Sequence, residues 1–441
     1  MKRQHLITLI LFLVMIVPHP GETAGLTFDQ ALKKLRTANE AIQAARMEES
    51  QREYEKSATR GLYFPRIDAS GRFTRIDDPI VISIPGLGTI PVQDDQFWRF
   101  NVNFKWPVFT GGRILAANRA ADAFLEESKA KRQRTESGLI SELARRYFGL
   151  RLAQVVTEVR REVMEGMEQH LSDARKLEEQ GMIARAEKLH AEVTNAEAMR
   201  EYKRAVRDVA IARTALNDIL SSKEEITPTS PLFLIRDIGP MENFRDQGLS
   251  SNPALKQLSA QREAAHQGYK KELGTLAPEV YLFGVKELYK KDLTVLEPRW
   301  AVGLGVTFNL FEGFSGYNRV MAAKKQESRI SHLEQQGRLT IETLAEKRYQ
   351  EVMKALEQYD ANETARRFAE EYLRVRKRAF EEGYATSLDV VDAQLSLSKV
   401  KTERLVAVYE FDVALAELLE TSGHSERFEE YVIRSDVEVR L

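Results

Sequence analysis

A strand of alternating character occurs twice in this chain, with Trp98 and Trp300 at equivalent positions. In the first copy, Phe97–Val108, every second residue is large and apolar, and polar or charged residues lie between them as far as Lys105. In the second copy, Trp300–Leu310, large apolar residues recur in the same positions. Side chains alternate across a strand, so each copy presents one apolar face.

Two structures fit such a strand. A soluble β-sandwich strand alternates in this way, and so does a membrane β-strand of about 9–11 residues with aromatic residues near its ends. The rest of the chain has to decide between them. In the membrane alternative, the apolar residues expected to face lipid are Trp98, Phe100, Val102, Phe104, Trp106, Trp300, Val302, Leu304, Val306 and Phe308.

Composition excludes several classes of function. The chain has 441 residues, of which 43% are apolar, so it can bury a large core. Its 65 Lys and Arg nearly balance its 66 Asp and Glu, which argues against nucleic acid as a partner. It contains no cysteine, so disulfides, thiolate metal sites and cysteine nucleophiles are excluded.

Residues 1–25 read as a secretory signal peptide. Lys2 and Arg3 precede an apolar run, Leu6–Val17, and small residues near Ala24 offer a cleavage site. This run is too short to span a bilayer as a helix, and no later segment approaches 18 consecutive apolar residues. We therefore expect an exported protein without a transmembrane helix, which could cross a membrane only through its strands.

Residues 113–179 predict one very long helix. The segment has no proline, and its apolar residues recur at spacings of three and four. Such a helix would be about 100 Å long at 1.5 Å per residue, which exceeds any compact domain. Gly181 would end it, and a return helix is predicted over 184–221. The pair indicates a coiled coil or the wall of a tube.

The whole arrangement then repeats. Asn252 corresponds to Asn39, and Gly383 to Gly181. The predicted first repeat covers 26–221, with a hairpin at 62–108 whose tip loop is 77–96. A linker over 222–251, with a short strand at Leu232–Ile235, leads to the second repeat. That repeat covers 252–422, with a hairpin at 276–310, a long helix over 316–382 and a return helix over 387–420, and a polar tail follows over 423–441.

The repeat suggests how the parts combine. We expect each return helix to stack end to end on the pre-strand helix of the other repeat, so that the pair matches a long helix. Four strands cannot close a barrel, so the chain should form an oligomer. Two chains would supply 8 strands around a filled interior, and three would supply 12 around a pore.

Three motifs carry a family resemblance: Trp106–Arg113, its counterpart Phe308–Phe314, and Phe380–Gln394. With them, the chain resembles the TolC-like outer-membrane efflux protein family over Leu26–Gly423. The resemblance implies a mostly α fold with membrane β-strands, in which long antiparallel coiled-coil helices form an α-barrel below a trimeric 12-strand β-barrel.

The resemblance also implies function and partners. The chain would be the outer-membrane channel-tunnel of a tripartite efflux pump or type I secretion system, exporting small molecules or polypeptides across the periplasm. It would form a homotrimer in outer-membrane lipid and dock to a periplasmic adaptor (membrane fusion protein) and an inner-membrane pump of the RND, ABC or MFS type. It would use no cofactor.

The resemblance assigns roles to the two helical turns as well. In the family, acidic residues line the closed tunnel end, and they correspond to Glu187, Asp389 and Asp392. The family's latching tyrosine and arginine correspond to Phe380 and Ala385, which puts that latch in doubt; Arg185 is a candidate substitute. The expected adaptor-docking tip comprises Gly181, Met182, Ile183, Gly383, Tyr384, Ala385, Thr386 and Ser387.

Simpler roles compete for the same residues. Asp389 could act only as a first-turn acid behind a Thr386 or Ser387 N-cap. His170 and His190 do not have metal-ligand spacing, so no metal site is predicted. The methionines near the first turn fit a helix seam better than a copper path: Met164, Met167 and Met182.

No set of residues predicts an enzyme. The main alternative is a soluble periplasmic coiled-coil adaptor, which also has helical hairpins and β-segments, and the other is a purely structural spacer. An adaptor has no reason to place aromatic residues on an outward strand face, so the strands favour a membrane channel.

Overall fold

The computed structural model describes residues 24–86, 88–294 and 297–439. The predicted signal peptide lies outside these ranges as far as residue 23. The helices, in chain order, are α1 (Phe28–Ala38), α2 (Glu40–Arg60), α3 (Arg113–Glu179), α4 (Arg185–Ile219), α5 (Met241–Ser251), α6 (Pro253–Leu273), α7 (Ser315–Glu381), α8 (Ser387–Ser422) and α9 (Phe428–Ile433). None of the described helices is both long enough and apolar enough to span a membrane.

The strands form one larger sheet and three small ones. They are β1 (Ala24–Leu26), β2 (Arg66–Arg75), β3 (Ile80–Ile84), β4 (Gly88–Gln93), β5 (Gln96–Phe109), β6 (Ile226–Pro228), β7 (Leu232–Leu234), β8 (Glu279–Glu287), β9 (Trp300–Thr307) and β10 (Val437–Val439). The larger sheet has the order β2-β5-β8-β9 and is antiparallel throughout. Each repeat contributes one hairpin, and β5 pairs with β8 to join the repeats.

The two long helices, α3 and α7, have 67 residues each and lead away from the sheet. In the half near the sheet, α3 packs between α2 and α6, and α6 also packs on α7. In the distal half, the side-by-side order is α4, α3, α8 and α7. Helix faces of period 3.5 to 3.6 pack continuously in this way, which explains how helices of about 100 Å remain buried along one side.

The main apolar core lies midway along the long helices. There β1 pairs in parallel with β6, and β7 pairs with β10. An aromatic cluster joins these small elements to α3, with Phe28, Phe148 and Phe428 in mutual ring contact at 5.0–6.0 Å between centroids. The buried Tyr147 hydroxyl donates to the Leu26 carbonyl at 2.6 Å and accepts a backbone N–H from the segment after β6.

Several expectations about the connecting segments are wrong. The linker over 222–251 contains the short strand expected at Leu232–Ile235, as β7, but also β6 and α5, which were not expected. The loop expected over 77–96 contains the β3–β4 hairpin. The tail after residue 423 forms α9 and β10, and Phe428 in it is buried in the core. Short elements such as these depend on partners distant in sequence, so local periodicity does not reveal them. The second strand ends at Thr307, which leaves Phe308 beyond it.

The expected stacking of the short helices is also wrong. The pre-strand helix α2 begins beside the end of α4, which is the return helix of its own repeat, and α6 begins beside the end of α8. Each end-to-end pair therefore belongs to one repeat rather than to both. A buried asparagine joins each pair, Asn39 in the first repeat and Asn252 in the second.

Candidate functional site

The pairing register places the apolar residues of both repeats on one face of the four-stranded sheet. Phe104 lies opposite Ile67 on one side and Gly284 on the other, and Gly284 lies opposite Val302. Directly paired residues point to the same side of a sheet. Along this face, exposed or half-exposed side chains include all nine predicted lipid-facing residues that lie within strands: Trp98, Phe100, Val102, Phe104, Trp106, Trp300, Val302, Leu304 and Val306.

The opposite face carries polar side chains from the first repeat and aromatic rings from the second. Asn103 donates to Asp68 at 3.0 Å and to Asn101 at 2.9 Å. On the same face, the rings of Tyr281 and Phe283 lie over the two glycines of β9, Gly305 and Gly303, at distances that leave no room for a Cβ atom. The glycines therefore explain how large rings fit on the face that the sequence predicts to be water-lined.

Arg99 joins two segments at the far end of the sheet, the β3–β4 hairpin and the loop between β8 and β9. Its guanidinium donates to the Asp292 carbonyl at 2.7 Å, to Gln93 at 2.8 Å and to Glu297 at 2.6 Å. Its side chain is largely buried, whereas the alternating pattern predicts a solvated residue. The sequence does not indicate this role for Arg99, because two of its partners, Asp292 and Glu297, lie in a loop almost 200 residues away.

The two turns at the distal end of the helices have the same geometry. Gly181 and Gly383 adopt left-handed conformations, with φ of 73° and 79°. In each turn the N–H after the glycine bonds at 2.8 Å to a carbonyl five residues earlier, Leu177 or Ala379. This is the Schellman arrangement that ends helices at glycine. Both turns are at the end of the molecule farthest from the sheet.

The surface of these turns is only partly apolar and exposed. Tyr384 is 84% exposed and Met182 is 59% exposed, whereas Ile183 and Ala385 pack on an apolar cluster beneath. Ser387 is fully buried. Its inclusion in the exposed tip is therefore wrong, because the first turn of α8 packs against the other hairpin instead of facing solvent.

Asp389 is engaged within its own helix. Its carboxylate accepts the Thr386 N–H at 2.9 Å while the Thr386 hydroxyl accepts the Asp389 N–H at 3.3 Å, which is a reciprocal capping box. The Arg376 guanidinium lies 3.7 Å away. The Thr386 hydrogen bonds and then Arg376 lower the pKa of Asp389 below its ordinary value.

The other two predicted gate acids differ from Asp389 and from each other. Glu187 accepts the backbone N–H of Ser387 at 2.9 Å, so a first-repeat carboxylate binds the free N-terminal end of the second repeat's α8. Asp392 is exposed, and no hydrogen bond or ion pair is found for it among the described residues. The structure thus brings Glu187 and the start of α8 together but leaves the Asp392 carboxylate free.

The residues considered for a latch fall into two groups. Phe380 is buried, with its ring centroid 4.8 Å from that of His170. Arg185 is exposed and has no hydrogen bond or ion pair within the described part of the chain. The spacing of residues does not predict the contact of His170 with Phe380, since the two residues are on different long helices.

The methionines near the first turn differ in their exposure to solvent. Met164 and Met167 pack in an apolar cluster between helices, as expected for seam residues, whereas Met182 is exposed. Within the described ranges, no three His, Asp or Glu side chains are placed to hold a metal ion.

Comparison with known families gives an extensive match. The sequence profile described as "Outer membrane efflux protein" matches residues 31–222 and 245–424. No curated protein sequence matches the chain.

Solved structures share this architecture at low sequence identity. The outer membrane protein VceC of Vibrio cholerae is 14% identical, with a TM-score of 0.77 over 90% of this chain and 96% of that one. The CmeC outer membrane channel of Campylobacter jejuni is 15% identical, with a TM-score of 0.75 over 93% and 90%. The open MtrE outer membrane channel of Neisseria gonorrhoeae is 18% identical, with a TM-score of 0.75 over 90% and 89%.

Proposed function

Because the chain belongs to the outer membrane efflux protein family, we propose that three copies of it assemble into one continuous tunnel. The family resemblance inferred from the sequence motifs is confirmed. The chain is an outer-membrane channel for efflux pumps and a transport protein rather than an enzyme, and its family works with an adaptor and an inner-membrane pump. We propose in addition that the homotrimer spans the periplasm and that the distal turns carry the docking residues.

The open edges of the four-stranded sheet are the observation that supports the trimer most directly. β2 and β9 each pair on one side only, so each leaves a row of backbone groups free. Pairing β9 of one copy with β2 of the next satisfies both rows. Three copies then supply 12 strands around an open interior, whereas two would supply 8 around a filled one. The apolar face formed by both repeats would contact outer-membrane lipid.

The outer helices of the distal half support the same assembly. On α4, exposed apolar side chains follow one stripe: Leu189, Val193, Met199 and Val206. On α7, which lies at the other edge, a second exposed set comprises Phe368, Tyr372 and Val375. A neighbouring copy that covers one stripe with the other would bury both. Apolar stripes of this kind at opposite edges fit a heterologous, ring-closing interface.

The distal turns are the proposed docking surface for the adaptor. With the sheet in the outer membrane, helices of about 100 Å would carry Met182 and Tyr384 deep into the periplasm. Exposed turns with free backbone groups can bind a partner without disturbing the core. The pump would be of the RND, ABC or MFS type, and the cargo small molecules or polypeptides.

The assembly is tested with the purified protein in detergent and in planar lipid bilayers. We expect a mass of three chains and stepwise single-channel conductance. Cell fractionation should release the protein from the outer membrane only with detergent. A monomer recovered in the soluble periplasmic fraction would contradict the channel and favour the soluble adaptor alternative.

Adaptor docking is tested separately by Tyr384→Asp. This variant should lose most copurification of a crosslinked adaptor while it remains trimeric, because a charge replaces an exposed aromatic side chain. Lys223→Asp, a charge change far from the turns, is the matched control and should retain the adaptor. Equal retention by both variants would place the docking surface elsewhere.

A further inference from the structure

His170 is buried where the two helical hairpins meet near their turns. It belongs to α3 of the first repeat, is 6% exposed, and has its Nε2 atom 2.7 Å from the Ser387 hydroxyl oxygen of the second repeat. The Phe380 ring of α7 packs against its imidazole. His170 therefore contacts both helices of the second hairpin.

Ser387 is held from two sides. Its hydroxyl faces His170, and its backbone N–H donates to Glu187 on α4. Among the described residues, the next polar contacts between the hairpins are Arg160 with Ser398 and Glu162 with Lys401, which lie about 16 Å or more farther along α8. The start of α8 thus depends on His170 and Glu187 for its polar attachment to the first hairpin.

Burial makes the protonation of His170 unfavourable, and the charges around it act in both directions. Asp173 on α3 and Glu187 on α4 favour the cation, whereas His190 on α4 and Lys377 on α7 oppose it. On α8, Asp389 is engaged by Thr386 and Arg376, and Asp392 is exposed. Burial outweighs the attractive charges, so the pKa of His170 lies below its ordinary value of 6.5.

We propose that His170 is the positioning residue that fastens the two turns of each protomer together, and that its protonation releases them. The proposal rests on the proposed function, in which these turns form the distal end of the tunnel. Next to the turns, the contact of His170 with Ser387 is the side-chain to side-chain hydrogen bond that joins the two hairpins among the described residues.

The direction of the pH effect follows from the burial of the imidazole. Separated turns would expose His170 and restore its ordinary proton affinity, so the separated arrangement binds the proton more tightly. The stability that neutral His170 gives to the fastened arrangement is therefore complete above about pH 6.5 and decreases as the pH falls below that value. The equilibrium shifts by at most about tenfold per pH unit in each protomer.

The test measures the distance between the turns. Since the chain has no cysteine, Met182→Cys and Tyr384→Cys can carry spin labels at both turns of the full-length protein. We expect the population with separated labels to rise several-fold between pH 7.5 and pH 5.5. His170→Gln, which keeps a polar group but cannot be protonated, should stay at its pH 7.5 value. His332→Gln, at an exposed site on α7 far from the turns, should behave as the parent protein.

A second variant, Ser387→Ala, tests the contact between Ser387 and His170 directly. Ser387→Ala should increase the separated population at both pH values, because it removes the acceptor or donor facing His170. If His170→Gln keeps the full pH dependence, the proposal is wrong. The label distances do not require a working channel, so a pH-dependent separation without conductance would contradict the proposed function and leave this inference standing.

Discussion

The side-chain nitrogen of Asn39 lies 2.9 Å from the carbonyl oxygen of Ile219 and joins two helices end to end. Its side-chain oxygen meanwhile accepts the Ala41 N–H at 3.0 Å and so caps α2. Asn252 repeats both contacts in the second repeat, with the Thr421 carbonyl at 2.8 Å and the Ala254 N–H at 2.8 Å. An amide is suited to this position because it donates and accepts at once.

Asn39→Asp should destabilise the protein although it keeps the N-cap. The carboxylate can still accept from Ala41, but it cannot donate to the buried Ile219 carbonyl. Leaving a buried acceptor unpaired costs about 1–3 kcal/mol. Thermal unfolding in detergent should show a lower midpoint. Asn318→Asp, at an exposed site, should leave the midpoint nearly unchanged, and a similar loss in that variant would argue against the role of the Ile219 contact.

Asp412 should make stability fall as the pH rises. Its side chain is fully buried on α8, and neither oxygen forms a hydrogen bond within the described residues. Burial raises its pKa well above 3.8, and the nearby Phe233 amide offsets this only partly. As the pH rises, Asp412 ionises in the unfolded chain before it ionises in the folded protein. The contribution of Asp412 to the free energy of unfolding is therefore complete below about pH 4. It then declines by up to about 1.4 kcal/mol per pH unit until the folded form ionises.

Asp412→Asn tests this pH dependence because it keeps the shape and removes the ionisation. The difference in unfolding midpoint between pH 5 and pH 8 should shrink in the variant. An unchanged difference would mean that Asp412 does not control it.

Gly305→Ala should impair folding of the sheet. A Cβ atom at this position would lie 2.5 Å from the Tyr281 ring, so the ring or the strand would have to move. Overpacking of this kind costs about 1–3 kcal/mol. The amount of folded protein in membranes should fall and should recover in Gly305→Ala/Tyr281→Ala. Gly284→Ala is the matched control in the neighbouring strand, since its nearest neighbour would be 3.5 Å away.

Val302→Arg should reduce assembly in the outer membrane, because Val302 is on the exposed apolar face of β9. An arginine near the bilayer midplane costs about 2–4 kcal/mol. Ala301→Arg is on the opposite face of the same strand and should be tolerated better. The yield of detergent-extracted trimer measures the assembly of both variants. Equal yields would exclude a lipid-facing role for Val302.

Asp392→Asn should reduce block by a trivalent cation more than Asp389→Asn does. Three Asp392 carboxylates around the axis of a trimer would attract multivalent cations, whereas the Asp389 carboxylate is held by Thr386 and Arg376. Single-channel conductance with the cation added from the helical side separates the two. Equal block of wild type and Asp392→Asn would place the gate elsewhere.

The sequence by itself determined the regular elements and their duplication. The period-two pattern from Trp98 and from Trp300 predicts the two strands, and the proline-free segments predict α3 and α7, because each pattern is a property of neighbouring residues. Gly181 and Gly383 likewise mark the turns, since a helix commonly ends at a left-handed glycine. With the three motifs, these features were enough for the family and the channel function.

Only the tertiary structure decided which of these elements meet. Asn39 could have capped α2 without touching α4, and nothing near Ser387 in sequence indicates that Glu187 and His170 hold it. These contacts join residues about 180 to 217 positions apart. The burial of Arg99 beside Asp292 and Glu297 has the same origin, whereas the capping of Asp389 by Thr386 is a local contact that the sequence already indicates. The sequence determines which chemical group each residue carries. The partner of that group, and so its charge state and its role, depends on which distant helix packs beside it.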